Sequence, residues 1–311
     1  MSFIKRNILL RSVETNQLQQ HNNMSKILSF LSVIYILAVS SDATTFEKNG
    51  ITYHMKYDMS GYYSLSTHGM HVLTPGLIAD IENIEWMEID QQNLTDVEPG
   101  TFRNLPKLRR LKITANNIPH IKTGIFNSLS NLTNLELYVN SVYQIDPNAF
   151  DNMTTLKYIG LSFNQLESVD PHWFLQTPSL EFIDLRYNRL TKLPASSFGN
   201  IKSPGPFILW FDGNYITRID KDAFSGMKTI STLSLDGNKL KTMTGDFLLG
   251  REIDWLSFRA NKIECIDQRH FATVFVANYT KIWSNSWHME CLKKIKTLAK
   301  ENHKNVLYDP Y

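Results

Sequence analysis

A nineteen-residue frame recurs along this chain at a nearly constant interval, and that recurrence limits the fold more than any other feature. Within Leu156 to Phe174, the residues Leu156, Ile159, Leu161, Asn164, Leu166, Val169 and Phe174 trace LxxLxLxxNxLxxLxxxxF. The same frame fits Leu108, Leu111, Ile113, Asn116, Ile118, Ile121 and Phe126, and again Leu132, Leu135, Leu137, Asn140, Val142, Ile145 and Phe150. It continues through Leu180, Ile183, Leu185, Asn188, Leu190, Leu193 and Phe198, then Ile230, Leu233, Leu235, Asn238, Leu240, Met243 and Leu248. Three copies are looser: one opens the array with Gln92 in the Asn position, and those built on Asn214 and Asn261 close at Phe224 and Phe271. The closing positions 102, 126, 150, 174, 198, 224, 248 and 271 are 23 to 26 residues apart. So regular a period belongs to a solenoid, in which each coil buries its apolar side against its neighbours.

These eight copies resemble the extracellular leucine-rich repeat. The resemblance implies an α/β solenoid shaped as a horseshoe, with parallel strands on the concave face, the Phe-bearing side convex, an N-terminal cap and a disulfide-linked C-terminal cap. The residues support the strands independently, because apolar positions alternate in segments such as Ile159-Gly160-Leu161 and so point to one side. The Asn of each copy closes a turn, where its short amide can bond backbone groups that burial would leave unpaired. Residues 84–271 are expected to hold the eight repeats, 41–83 the N-terminal cap, and 272–311 a degenerate ninth repeat with a capping helix.

Residues 1–40 read as an N-terminal extension and a secretory signal peptide. Thirteen apolar or small residues, Ile27 to Val39, follow Lys26, with Ala38 and Ser40 as cleavage-site residues and Met24 as a second possible start. That run is too short for a spanning helix, which needs about 20 residues; the alternative is an uncleaved anchor. Removing it takes away four positive charges and one negative, so the formal charge falls from +2 to −1. A chain so nearly neutral gives no sign of a nucleic-acid partner, and no later apolar run predicts a membrane span. The product is expected to be secreted and extracellular.

Ahead of the array, Ile51, Tyr53, Met55 and Tyr57 alternate with polar residues before a turn at Asp58-Met59-Ser60-Gly61, which predicts a hairpin covering the first coil. The sixth copy is longer by two residues at Lys202-Ser203-Pro204-Gly205-Pro206, a loop. The only two cysteines, Cys265 and Cys291, favour one bridge in a secreted chain. Asn285-Ser286-Trp287 resembles the Asn-Pro-Trp capping signature of the superfamily, and Leu292, Ile295, Leu298 and Ala299 recur beyond it at helical spacing. Asn-x-Ser/Thr sequons at Asn93, Asn131, Asn152 and Asn278 predict glycosylation; Asn23 precedes the signal core.

No catalytic motif appears. His68-Gly69-Met70-His71 lacks the spacing and the Glu of a zinc-protease helix, and there is no nucleophile elbow, phosphate-cradling glycine loop or paired-cysteine metal site. A non-enzymatic protein without cofactor or metal is expected.

What remains is the outward side of the strands. The first outward column reads Trp86, Arg110, Asn134, Tyr158, Phe182, Ile208, Thr232, Trp255 and Tyr279. The second reads Glu88, Lys112, Glu136, Gly160, Asp184, Trp210, Ser234, Ser257 and Lys281. The third reads Asp90, Thr114, Tyr138, Ser162, Arg186, Asp212, Asp236, Arg259 and Trp283, with Phe163 and Tyr187 one residue further on. Tyr138, Tyr158, Phe163, Phe182, Tyr187, Trp210 and Trp255, with Asp184 and Arg186 flanking, are the candidate ligand-binding residues, since binding hot spots are rich in aromatic residues and Arg. The bland alternative is that these rings only cover the sheet. Two function classes stay open: a recognition module for a protein or glycoconjugate, and an adhesion, matrix or developmental component that pairs with a receptor or with a second copy of itself. An enzyme inhibitor is an outsider. The resemblance extends to secreted arthropod leucine-rich-repeat proteins and Toll ectodomains, which implies innate immunity.

Overall fold

The computed structural model describes residues 45–55, 61–201 and 204–308. The signal segment, Asn23, Asp58-Met59-Ser60 of the turn and Lys202-Ser203 of the insertion lie outside the described residues.

One thirteen-stranded sheet runs the length of the described chain. Its repeat strands include Trp86–Asp90, Arg110–Thr114, Asn134–Glu136, Tyr158–Gly160, Phe182–Asp184, Phe207–Trp210, Thr229–Ser234, Glu252–Ser257 and Tyr279–Lys281. Neighbouring strands pair parallel and in frame, for example Leu135↔Ile159, Ile159↔Ile183 and Ile183↔Leu209. Each of these partners is a Leu or Ile from the same frame position and is fully buried. The register is therefore set by the hydrophobic pattern, since a one-residue slip would turn every such side chain out of the core.

On the opposite side of the core the closing phenylalanines stack from coil to coil. Phe102, Phe126, Phe150, Phe174 and Phe198 lie 6.2 to 6.4 Å apart between ring centroids, with near-parallel planes, and Phe224 continues the stack 5.5 Å beyond Phe198.

The expected hairpin forms: Ile51–Met55 pairs antiparallel with Tyr62–Ser66. A further strand, Thr45–Lys48, pairs antiparallel with Ile51–Met55 and is the outermost strand at that end. Tyr62–Ser66 also pairs parallel with Trp86–Asp90, so the cover is continuous with the repeat sheet. The Lys48 ammonium donates to the Ala79 and Asp80 carbonyls, which ties the outermost strand to the segment just before the first coil.

At the other end Cys265 and Cys291 are disulfide-bonded with Cα atoms 5.5 Å apart. Cys291 lies in the first turn of the helix Met289–Glu301, whose buried stripe is Cys291, Ile295 and Ala299; Leu292 and Leu298 are only partly buried. Beyond the helix, Asn305–Leu307 pairs parallel with Tyr279–Lys281 and ends the sheet, a strand that the periodicity did not announce. The bridge spans 26 residues of sequence, and closing a loop of that size stabilises by about 3–4 kcal/mol in the chain-entropy account. A Cys265→Ser, Cys291→Ser variant is expected to fray locally. Amide exchange should accelerate in 289–307 and stay slow in the strands before Thr229, because each coil contacts only its neighbours; uniform acceleration along the chain would refute this.

Candidate recognition surface

The sheet face is positioned by a ladder of buried asparagines at its rim. Asn188 donates from Nδ2 to the carbonyls of Leu161 at 2.9 Å and Leu185 at 3.2 Å, while its Oδ1 accepts the Leu166 N–H at 3.0 Å. Asn164, Asn214, Asn238, Asn261 and Asn285 repeat that arrangement with their own neighbours. Gln92 performs part of the role in the first copy: its side-chain oxygen accepts the Thr67 N–H and its amide donates to the Asp90 carbonyl. Asn140 is the exception, with an Oδ1 that has no partner among the described residues.

Leucine-rich repeats occupy residues 82–203 of this solenoid. The leucine-rich-repeat family model matches residues 82–142, 106–166, 130–190 and 154–203. A crystal structure of a TLR13–ssRNA13 complex is 19% identical with a TM-score of 0.49, over 64% of this chain and 32% of that one. No curated protein matches. The repeats of such solenoids create extended concave surfaces that serve binding.

On the sheet face of the leucine-rich-repeat solenoid, the candidate residues divide into a central cluster and two flanks. In the centre Tyr158 packs edge-on against Phe182 at 4.9 Å, and Phe182 against Trp210 at 4.5 Å. The Arg186 guanidinium lies 4.1 Å over the Trp210 ring and donates to the Asp184 carboxylate at 2.8 and 2.9 Å. Asp184 departs from the expectation of a flanking surface charge. It is 2% exposed, because its carboxylate is turned in to hold Arg186 and also accepts the Arg186 N–H. The Arg186 guanidinium is held above its ordinary pKa, chiefly by its own hydrogen bonds to the Asp184 carboxylate. Tyr158 lies across Gly160, where an added Cβ would fall 2.8 Å from its hydroxyl. Burial, with the Asp184 and Glu136 charges, pushes that phenol far above its usual range.

Phe163 and Tyr187 stand at the rim, 49% and 48% exposed, with rings stacked at 4.3 Å. Tyr187 in turn leans over Gly213, where a Cβ would come within 2.5 Å of its ring. Both residues have positive φ, 54° and 52°, as does every residue just before the ladder position from Gln91 to Ser284. Gly213 and Gly237 adopt that conformation freely, whereas a non-glycine residue in it costs about 1–2 kcal/mol. Val139 shares the column at φ 55° and is 45% exposed, so a strained β-branched residue is spent on the surface. Val139→Asp is expected to raise stability by about 1 kcal/mol, because Asp tolerates this region and little burial is lost. A lower Tm than wild type would show that the valine methyls pack after all.

Tyr138 belongs to the N-terminal flank. The Lys112 ammonium lies 5.8 Å over its ring and pairs with Glu88, which also accepts the Tyr62 hydroxyl. Burial raises the Glu136 pKa here. Trp255 stands apart on the C-terminal flank, stacked on Tyr279 at 4.5 Å under the Lys281 ammonium. Lys281 and Arg259 both face the Trp283 ring, and Arg259 is paired with Asp236. Tyr279, Trp283, Lys281 and Arg259 occupy the same outward columns as the chosen residues, so column position alone could have brought them in.

The four sequon asparagines Asn93, Asn131, Asn152 and Asn278 are all exposed. Asn131 donates to the Pro106 carbonyl and Asn278 to Asp254, both from the amide that a glycan would occupy. Among the described residues no group of His, Cys, Asp or Glu could hold a metal ion, and no helix is long and apolar enough to cross a membrane.

Proposed function

We propose that this chain is a secreted, non-enzymatic recognition protein that binds a protein or glycoconjugate through its concave sheet face. One observation carries the proposal: Tyr158, Phe182, Trp210 and Arg186 form a contiguous cluster, with the exposed Phe163–Tyr187 pair at the rim of the same coils. Clustered aromatic and Arg side chains are the usual anchors of an interface. Secretion is supported by the disulfide, which persists in oxidising compartments, and by the exposure of all four sequons.

The test is capture from extracellular fluid and cell surfaces with the secreted, glycosylated product as bait, and the Tyr187→Ala, Trp210→Ala variant as control. A partner held by wild type and lost by the variant supports the concave face. Equal capture by both would sink it.

A further inference from the structure

The rim carries a second chemical pattern that the concave cluster does not use. The residues one past each ladder position form a column along the solenoid flank, in the same relation to the neighbouring coil: the N–H groups of Arg189, Tyr215, Lys239 and Lys262 donate to Leu166, Leu190, Ile216 and Leu240. In the earlier coils this column is uncharged, reading Asn93, Asn117, Ser141 and Gln165. From Arg189 onward it reads Arg189, Tyr215, Lys239 and Lys262, three cations in four positions, and Lys192, Arg218 and Lys241 lie a few residues further along the same coils. Arg189, Lys192, Lys241 and Lys262 are exposed, Lys239 partly so, and none of the five has an ion pair among the described residues. Of the carboxylates on this flank, Asp220 is paired with Arg218 and Asp267 with Arg269, while Glu167, Asp246 and Glu264 have no lysine or arginine partner among the described residues, three acids against the five unpaired cations. A chain near neutral overall thus concentrates positive charge on one flank of its later coils. At about 4.8 Å per strand, the four column positions span roughly 15 Å along the solenoid axis.

We propose that this flank is a binding strip for a linear sulfated polysaccharide running across the coils. Three observations select that partner among polyanions. The main-chain N–H groups of the column are consumed between coils, so a peptide strand cannot be added there by backbone pairing. Open ring faces are few here: Tyr187 is covered by Phe163 on one side and Gly213 on the other, and one face of Tyr215 lies under the Lys239 ammonium 5.9 Å away. Nucleic-acid bases need open ring faces to stack, whereas ring edges carry positive partial charge and suit anionic oxygens. The cations are mainly lysines, compact point charges that hold a sulfate without the forked geometry of Arg.

The experiment is binding of the full secreted chain to immobilised heparin, with single-stranded RNA and poly-glutamate of matched charge as alternative probes, across a salt series. Wild type is expected to bind heparin most tightly and to weaken as salt rises. Lys239→Glu, Lys241→Glu, Lys262→Glu should weaken binding at least tenfold, and the matching Gln variant less. The Trp210→Ala variant should bind heparin as wild type does, so this site and the concave site fail independently. Undiminished binding by a correctly folded Glu variant would overturn the strip. Tighter binding of RNA or poly-glutamate than of heparin would overturn the choice of polymer.

Discussion

Asn188→Ala is expected to lower the free energy of unfolding by about 2–4 kcal/mol. The carbonyls that Asn188 serves each have a second donor, since Leu161 O also accepts from Asn164 and Leu185 O from Asn214. The Leu166 N–H has no such reserve, because Asn188 Oδ1 is its acceptor in the interior. A buried donor left unpaired costs about 1–3 kcal/mol, and the loss of the amide's own bonds adds to it. Asn140→Ala is the internal comparison. Its Oδ1 accepts nothing, so truncation orphans no N–H, and the loss should be smaller by about 1–2 kcal/mol. Denaturant unfolding of the two variants measures the difference. Equal losses would mean that the ladder acts by shape rather than by hydrogen bonding. Because stability in a solenoid passes from neighbour to neighbour, the Asn188 variant should also separate into two transitions, one for the coils on each side.

The Tyr187→Ala, Trp210→Ala variant should lose at least 2 kcal/mol of binding free energy for each truncated anchor, about 30-fold in affinity apiece. The two losses are not expected to add simply, since Arg186 stacks on Trp210 and sits beside Tyr187 in sequence, so its presentation depends on both. Stability should change far less. The Trp210 ring packs on Phe182 and Arg186 without belonging to the buried core, and such contacts are worth about 0.5–1.5 kcal/mol beyond area. Tyr187 is half exposed. A variant that unfolds would assign these rings to structure; one that folds and binds normally would remove the concave face from consideration.

The coil interval, the buried Leu and Ile positions, the parallel strands and the capping helix were legible in the sequence, because a repeated frame forces each coil to meet its neighbour in the same way. Position 92 shows how far that goes: Gln92 reads as a departure, yet its longer amide reaches Thr67 and Asp90 and does much of what an Asn would do. The columns of outward residues were legible too, and they place Tyr158, Phe182, Trp210 and Arg186 in neighbouring copies. Only the tertiary structure decided what each outward side chain does there. Asp184 and Arg186 are both outward by alternation, yet one is buried and the other presented, because an ion pair between them is better formed with the carboxylate beneath and the guanidinium over Trp210. The strain at Val139, Phe163 and Tyr187 and the closing strand Asn305–Leu307 were likewise invisible. Backbone dihedrals at a rim, and the pairing of a segment that follows a helix, depend on where neighbouring coils lie. Period fixes which residues face each other; which of them are covered, paired or left to a partner is settled by packing across coils.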